Sequence, residues 1–245
     1  MLPLSAHDLL AVWERGAGRH PTEQAFLVLA AGYPELSTEE LWDLPLGEVD
    51  ARLVALRAAT LGPSWEGYGE CPSCRERVEF PVPADEILAR WEDKGARQDA
   101  VLQVNDMDVE VRWPTSRDLA EVALAASVSE ARRALLHRSI VRVTQGGAPL
   151  PLEHLPAAVE QAIAERFDAM EENGEILLDL ACPRCGHAWR LLFDPGAFFW
   201  TELVAQARRL FHDVHSLARA YGWQEADILA MSPQRRQAYL AMVDA

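Results

Sequence analysis

The chain has four cysteines, and they fall in two Cys-x-x-Cys pairs, Cys71-Pro72-Ser73-Cys74 and Cys182-Pro183-Arg184-Cys185, far apart in a 245-residue sequence. Such a turn aims two sulfurs at one point while its backbone amides stabilise the thiolates, so two turns together supply the four ligands of a tetrahedral zinc site. About 107 residues, positions 75 to 181, separate the pairs, much more than in a compact zinc finger. The flanks match nevertheless: each pair has Pro after its first cysteine, and each lies between strand-like runs. Positions 75–82 alternate polar with apolar residues, 176–180 enter the second pair and 187–193 leave it. Redox-active pairs of the thioredoxin kind open a helix, and neither pair here does. A shell of four thiolates leaves no open coordination position. The expectation is therefore one structural zinc per chain, held by Cys71, Cys74, Cys182 and Cys185 and tying together the ends of the intervening segment. His187, two residues on, is read as a strand histidine rather than a substitute ligand.

Cysteine used in this way suits a reducing compartment. The start, Met1-Leu2-Pro3-Leu4-Ser5, has no basic or apolar leader, and no run approaches the ~18 apolar residues of a membrane span, so a cytoplasmic protein away from membranes is expected. With 38 acidic against 23 basic side chains the net charge is -15, a field that opposes phosphate backbones; no nucleic acid is expected, and proteins are the favoured partners. Lys94 is the single lysine, which disfavours Schiff-base or lysine-base chemistry.

Hydrophobic periodicity gives the frame around the cysteines. Helices are expected at 5–13, capped by Ser5 and ended by Gly16 and Gly18, at 22–31, from the Ser37-Thr38-Glu39-Glu40 capping box, and at 46–61 before Gly62-Pro63. Between the cysteine pairs, 101–113 reads as a hairpin turning at Asn105-Asp106, followed by helices at 114–126, 129–143 and 155–170, with Gly146-Gly147-Ala148-Pro149 as a loop. The longest helix starts after Pro195-Gly196 and closes at Gly222, whose lack of a side chain suits a left-handed cap. Helices at 224–230 and, capped by Ser232, up to 243 complete the chain, with Trp223, Ile228, Leu229, Met231, Tyr239 and Leu240 expected to pack on the long helix or a partner. The fold class expected is α+β and mainly α-helical. Helical regions 1–62 and 195–245 flank a split zinc ribbon, 63–82 and 175–194, with 83–174 inserted as a hairpin and helices.

Other constellations yield less. His212 and His215 sit one helical turn apart beside Asp213 without a visible third ligand, and read as a solvated face. Glu39-Glu40 and Glu171-Glu172 are sequence neighbours, which do not face each other on a helix. The segment 215–243 has a helix-turn-helix outline, but only Arg235 and Arg236 sit on its candidate reading helix. Phosphate loops, dinucleotide fingerprints and hydrolase motifs are absent from the sequence, and no enzyme is indicated.

Several segments resemble one family: Leu2-Pro-Leu-Ser-Ala-His-Asp-Leu-Leu-Ala-Val-Trp-Glu-Arg-Gly16, both cysteine turns, Trp113-Pro-Thr-Ser-Arg-Asp-Leu119, and, most specifically, Tyr221-Gly-Trp-Gln-Glu-Ala-Asp-Ile-Leu-Ala-Met-Ser-Pro-Gln-Arg-Arg-Gln-Ala-Tyr239. Over nearly the whole chain these are similar to the baseplate hub subunit and hub-assembly chaperone family of T-even-type contractile phages and phage-tail-like contractile injection systems. The resemblance implies a non-enzymatic assembly factor or baseplate component, with baseplate, hub or tape-measure-type proteins as partners and retention in the finished particle allowed. The competing expectation is a zinc-ribbon and helix-turn-helix regulator binding nucleic acid. Trp13, Trp42 and Trp223 are candidate partner anchors, each equally readable as core.

Overall fold

A computed structural model of the chain describes residues 1–93, 100–123, 125–152, 155–171 and 176–243. Local sequence chemistry starts its helices. Ser5 opens α1 (Ala6–Gly16) through a reciprocal capping box: its hydroxyl accepts the Asp8 amide at 3.2 Å while the Asp8 carboxylate accepts the Ser5 amide at 2.9 Å. Ser37 and Glu40 start α3 (Thr38–Trp42) in the same way. Pro21 and Pro195 occupy the first turns of α2 (Pro21–Gly32) and α9 (Pro195–Tyr221), where a missing N–H costs nothing. Together with α4 (Leu46–Leu61), these helices pool Leu10, Phe26, Leu29, Leu53, Phe199 and Leu203 into the largest core.

The long α9 spans 27 residues and ends at Gly222 with φ of 69°. Against its far end fold α10 (Glu225–Leu229) and α11 (Pro233–Val243), where Leu217, Ile228 and Leu240 are buried with Trp223 and Tyr239 packed alongside. The C-terminal apolar residues thus cover α9. Among the described residues, no helix is long and apolar enough to cross a membrane.

Two antiparallel hairpins carry the cysteines, β1 (Glu66–Glu70) with β2 (Arg77–Pro81) and β7 (Leu177–Ala181) with β8 (Ala188–Leu192). They pack on each other around a second core of Trp65, Phe80, Val82, Ile87, Ile176 and Phe193, which leads into α5 (Ala84–Asp93). A third core lies in the segment between the hairpins. There β3 (Ala100–Val104), β4 (Met107–Val111), β5 (Ile140–Gln145) and β6 (Ala148–Pro149) form one antiparallel sheet. Against it pack α7 (Val128–Ser139) and α8 (Ala157–Glu171), while α6 (Ser116–Val122) precedes them in the chain.

The observed architecture is mixed α+β with small sheets, as expected, but several elements differ, among them α5, a helix not expected from the sequence. Positions 129–143 do not form a single helix: α7 stops at Ser139, and Ile140–Gln145 joins β4 as a strand. The β-branched residues Ile140, Val141, Val143 and Thr144 suit that pleated surface, and Val143 lies opposite the fully buried Val109. Gly146 and Gly147, both at positive φ, turn the chain into β6, so the expected loop is partly strand. The Glu171-Glu172 pair lies outside the residues whose side chains are described.

Candidate metal site

The cysteine turns are built alike. In the first, the Cys71 amide donates to the Glu76 carbonyl and the Arg75 amide to the Cys71 carbonyl, both at 2.9 Å. In the second, the Cys182 amide donates to the His187 carbonyl and the Gly186 amide to the Cys182 carbonyl, again both at 2.9 Å. The residue four past the first cysteine is left-handed in each, Arg75 at φ 60° and Gly186 at φ 72°. This geometry folds each pair back so that both sulfurs point the same way.

All four sulfurs then meet, within 4.8 Å of one another. Cys71 Sγ lies 3.7 Å from Cys185 Sγ, and Cys74 Sγ 3.6 Å from Cys182 Sγ, so the pairs interleave across the two hairpins. Disulfide sulfurs would sit about 2 Å apart. A tetrahedron with metal–sulfur distances of about 2.3 Å has edges of about 3.8 Å, which the observed separations approach. The donors therefore fit a single four-coordinate metal ion. Cys71 and Cys182 are buried, Cys74 is half-buried and Cys185 is exposed at the rim. Arg184 and Glu76 cross that rim as an ion pair at 2.9 Å.

Burial opposes ionisation of Cys182, but the amides of Cys185 and Arg184 outweigh it and bring the thiol down to about 7. At Cys74 the Glu76 amide favours the thiolate, yet burial and the sulfurs of Cys185, Cys182 and Cys71 push the thiol up to about 12. Without a cation, one thiolate discourages the next. His187 is exposed, stacks beside Trp189 with ring centroids 6.4 Å apart, and takes no place among the clustered donors. His212 and His215 are exposed on α9 and belong to no comparable donor cluster among the described residues.

A second long-range connection runs through Trp113–Leu119, which meets the chain between α3 and α4. The Leu46 amide donates to the Pro114 carbonyl at 3.1 Å, Thr115 forms a β-bridge with Pro45, and Arg117 pairs with Asp43 at 2.6 Å. Thr115 caps α6 reciprocally with Asp118. Asp118 is 1% exposed and also accepts from Arg112 at 2.6 and 2.9 Å and from Arg138 at 3.1 Å, contacts the sequence does not announce. Burial opposes its charge, but Arg112 and Thr115 prevail and hold its carboxyl far below the usual carboxylate range. Likewise, buried Arg57 grips Glu202 at 2.8 and 2.7 Å and lies over the Trp65 ring.

The helix-turn-helix expectation is not favoured, since one of its two candidate reading arginines is buried. Arg236 is buried against Asp213 at 2.9 Å, and Arg235 lies over the Tyr239 ring. Of the candidate anchors, Trp42 stacks on Phe26, Trp13 meets Phe211 edge-on and Trp223 stacks on Tyr221; all three are half-buried.

Fold and site define a mixed α+β protein in which a cluster of four thiols, able to hold one metal ion, joins two hairpins distant in sequence. The chain belongs to the T4 bacteriophage base plate protein family, which it matches over residues 22–200. No curated protein and no solved structure matches it. The family match includes both cysteine turns and the 113–119 segment; the 221–239 stretch, most specific in the sequence resemblance, lies beyond it.

Proposed function

We propose that this chain is a non-enzymatic assembly chaperone or structural component of the baseplate hub in a contractile phage tail or phage-tail-like injection system, with one structural zinc held by Cys71, Cys74, Cys182 and Cys185. The family match carries the baseplate reading. Interleaving of four thiols at tetrahedral spacing supports zinc, which favours a closed thiolate shell and brings no redox chemistry. A zinc held by four thiolates has no open coordination position for a substrate. Such a protein acts by binding other baseplate, hub or tape-measure-type chains in the cytoplasm, and the particle retains it where that surface stays covered.

We read the chain as helical regions 1–62 and 195–245 around a split ribbon, 63–82 and 175–194, that holds the insert 83–174. Electron microscopy of lysates from the wild type and the gene deletion tests the function, with co-purification from cells expressing the neighbouring gene cluster identifying the partner. Free tubes, sheaths or hub components are expected in the deletion. Normal yields of intact contractile particles would overturn the reading.

A further inference from the structure

The second hairpin ends beside an apolar cleft that Leu192 and Phe193 help to line, and among the described residues one backbone edge of its last strand is unpaired. The amide of Phe193 donates to Ile176 at 2.8 Å and that of Cys182 to His187 at 2.9 Å, which sets the bonded register of β7 and β8. Bonded pairs then fall at His187, Trp189, Leu191 and Phe193, and the backbone groups of Ala188, Arg190 and Leu192 face away from β7. Among the described residues, β8 has no other strand neighbour. On the first hairpin the corresponding outward positions of β2 are Arg77, Glu79 and Pro81, and proline there cannot donate. The β8 edge has no such block.

The cleft has a volume of about 460 Å³ and brings Phe26, Leu53, Trp113, Leu119, Leu192 and Phe193 together from four separate parts of the chain. At its mouth Leu119 is 42% and Leu192 56% exposed. Among the described residues, the charged side chains lining it are Asp50 and Asp194, both acidic, and Asp194 also caps α9 by accepting the Ala197 amide at 3.0 Å. We infer that the β8 edge and this cleft receive an extended, apolar, net-basic segment of another baseplate protein, added as a strand to β8; this rests on the assembly reading above. A helix would satisfy its own backbone and leave the edge amides without partners, whereas a strand pairs with them and sends alternate side chains into the cleft. A second copy of this chain brings another net charge of -15 against the acidic lining, while a basic segment complements it.

The probe is a synthetic peptide of about eight residues, a typical strand length, alternating valine with arginine. Controls are the same peptide N-methylated at alternate amides, which keeps its charge, and a valine–glutamate counterpart. Full-length protein should bind the first saturably and slow hydrogen exchange at the Arg190 and Leu192 amides. Both controls, and the variants Leu192→Glu and Leu119→Glu, should bind at least about tenfold more weakly, a difference clear of surface effects. Both leucines are exposed, so these variants keep the fold, checked by unchanged exchange in β1 and β2. Absence of saturable binding, equal binding of the N-methylated peptide, protection confined to other amides, or self-association that protects Arg190 and Leu192 would each overturn the inference. Normal particles from a strain carrying only Leu192→Glu would overturn it while leaving the assembly reading intact. Normal particles in the gene deletion would remove that reading instead.

Discussion

The two cysteine hairpins share a turn and little else. Both fold the first cysteine's amide onto the carbonyl five residues on, and both place the next-to-last turn residue in the left-handed region. In the first hairpin Val78 and Phe80 are buried and the neighbouring Trp65 is 2% exposed. In the second, every residue of β7 and β8 is half-buried or exposed. Local sequence chemistry makes the turn, whereas long-range packing decides whether the hairpin anchors the molecule or presents a surface. Here Gly67 leaves room for Phe80, with a hypothetical side-chain carbon meeting that ring at 2.6 Å, and the root of the clasp is thereby locked into the core.

The largest effect expected is one that breaks the asymmetry by removing its common feature. Cys185→Ser alters an exposed side chain and should ordinarily be mild; in a shared metal shell it should instead cost several kcal/mol, since binding free energy of structural zinc reaches ~10–16 kcal/mol and is folding free energy. Hydrogen exchange should quicken in both hairpins, including the well-packed β1–β2. Acceleration confined to β7–β8 would mean that the clasp is not shared.

Next in size is a direct comparison of packing. Phe80→Ala should lower stability by ~3 kcal/mol through the cavity it leaves, whereas Leu192→Ala should stay within ~0.5 kcal/mol in the isolated protein. Denaturant titration of the two variants measures both; comparable losses would erase the distinction between anchoring and presenting hairpins.

The 113–119 connection sharpens the same contrast, since it depends on charge rather than metal. Removing the buried carboxylate with Asp118→Ala should cost about 2 kcal/mol, because Arg112 and Arg138 lose their acceptor but remain partly solvated. Its folded carboxyl is depressed, so its contribution is present above the ordinary carboxylate range and fades as pH falls toward the folded value. Acid unfolding of the variant should accordingly be shallower than that of the wild type. An unchanged acid limb would dissociate Asp118 from stability.

The smallest effect concerns the turns themselves. Arg75 holds a left-handed conformation that Gly186 adopts without a side chain, so Arg75→Gly should stabilise by ~0.5–1 kcal/mol, read as a rise in melting temperature. A loss would show that the Arg75 side chain contributes more than its backbone costs.

What the sequence revealed follows the same division. The span 46–61 was legible to the residue because Gly62-Pro63 stops it, and the Ser5 cap and the Ser37–Glu40 capping box were legible from local sequence alone. That the four cysteines come together was legible because each pair is a Cys-x-x-Cys turn, a spacing that points two sulfurs the same way. By contrast, Leu136, Ile140 and Val143 keep helical spacing into β5, and only pairing with β4, some 30 residues away in sequence, makes the last part a strand. The cleft, drawn from positions 21 to 197, and the Arg57–Glu202 contact have no local signal at all. Unequal burial of two similar hairpins is likewise a tertiary outcome.

The central claim is a single closed thiolate site shared by both hairpins, and metal analysis combined with X-ray absorption on unchelated, freshly purified protein tests it most directly. One zinc per chain surrounded by four sulfurs at about 2.3 Å is the predicted result. Metal-free protein at full stability, or a metal bound by one pair of cysteines and completed by oxygen or nitrogen, would contradict it.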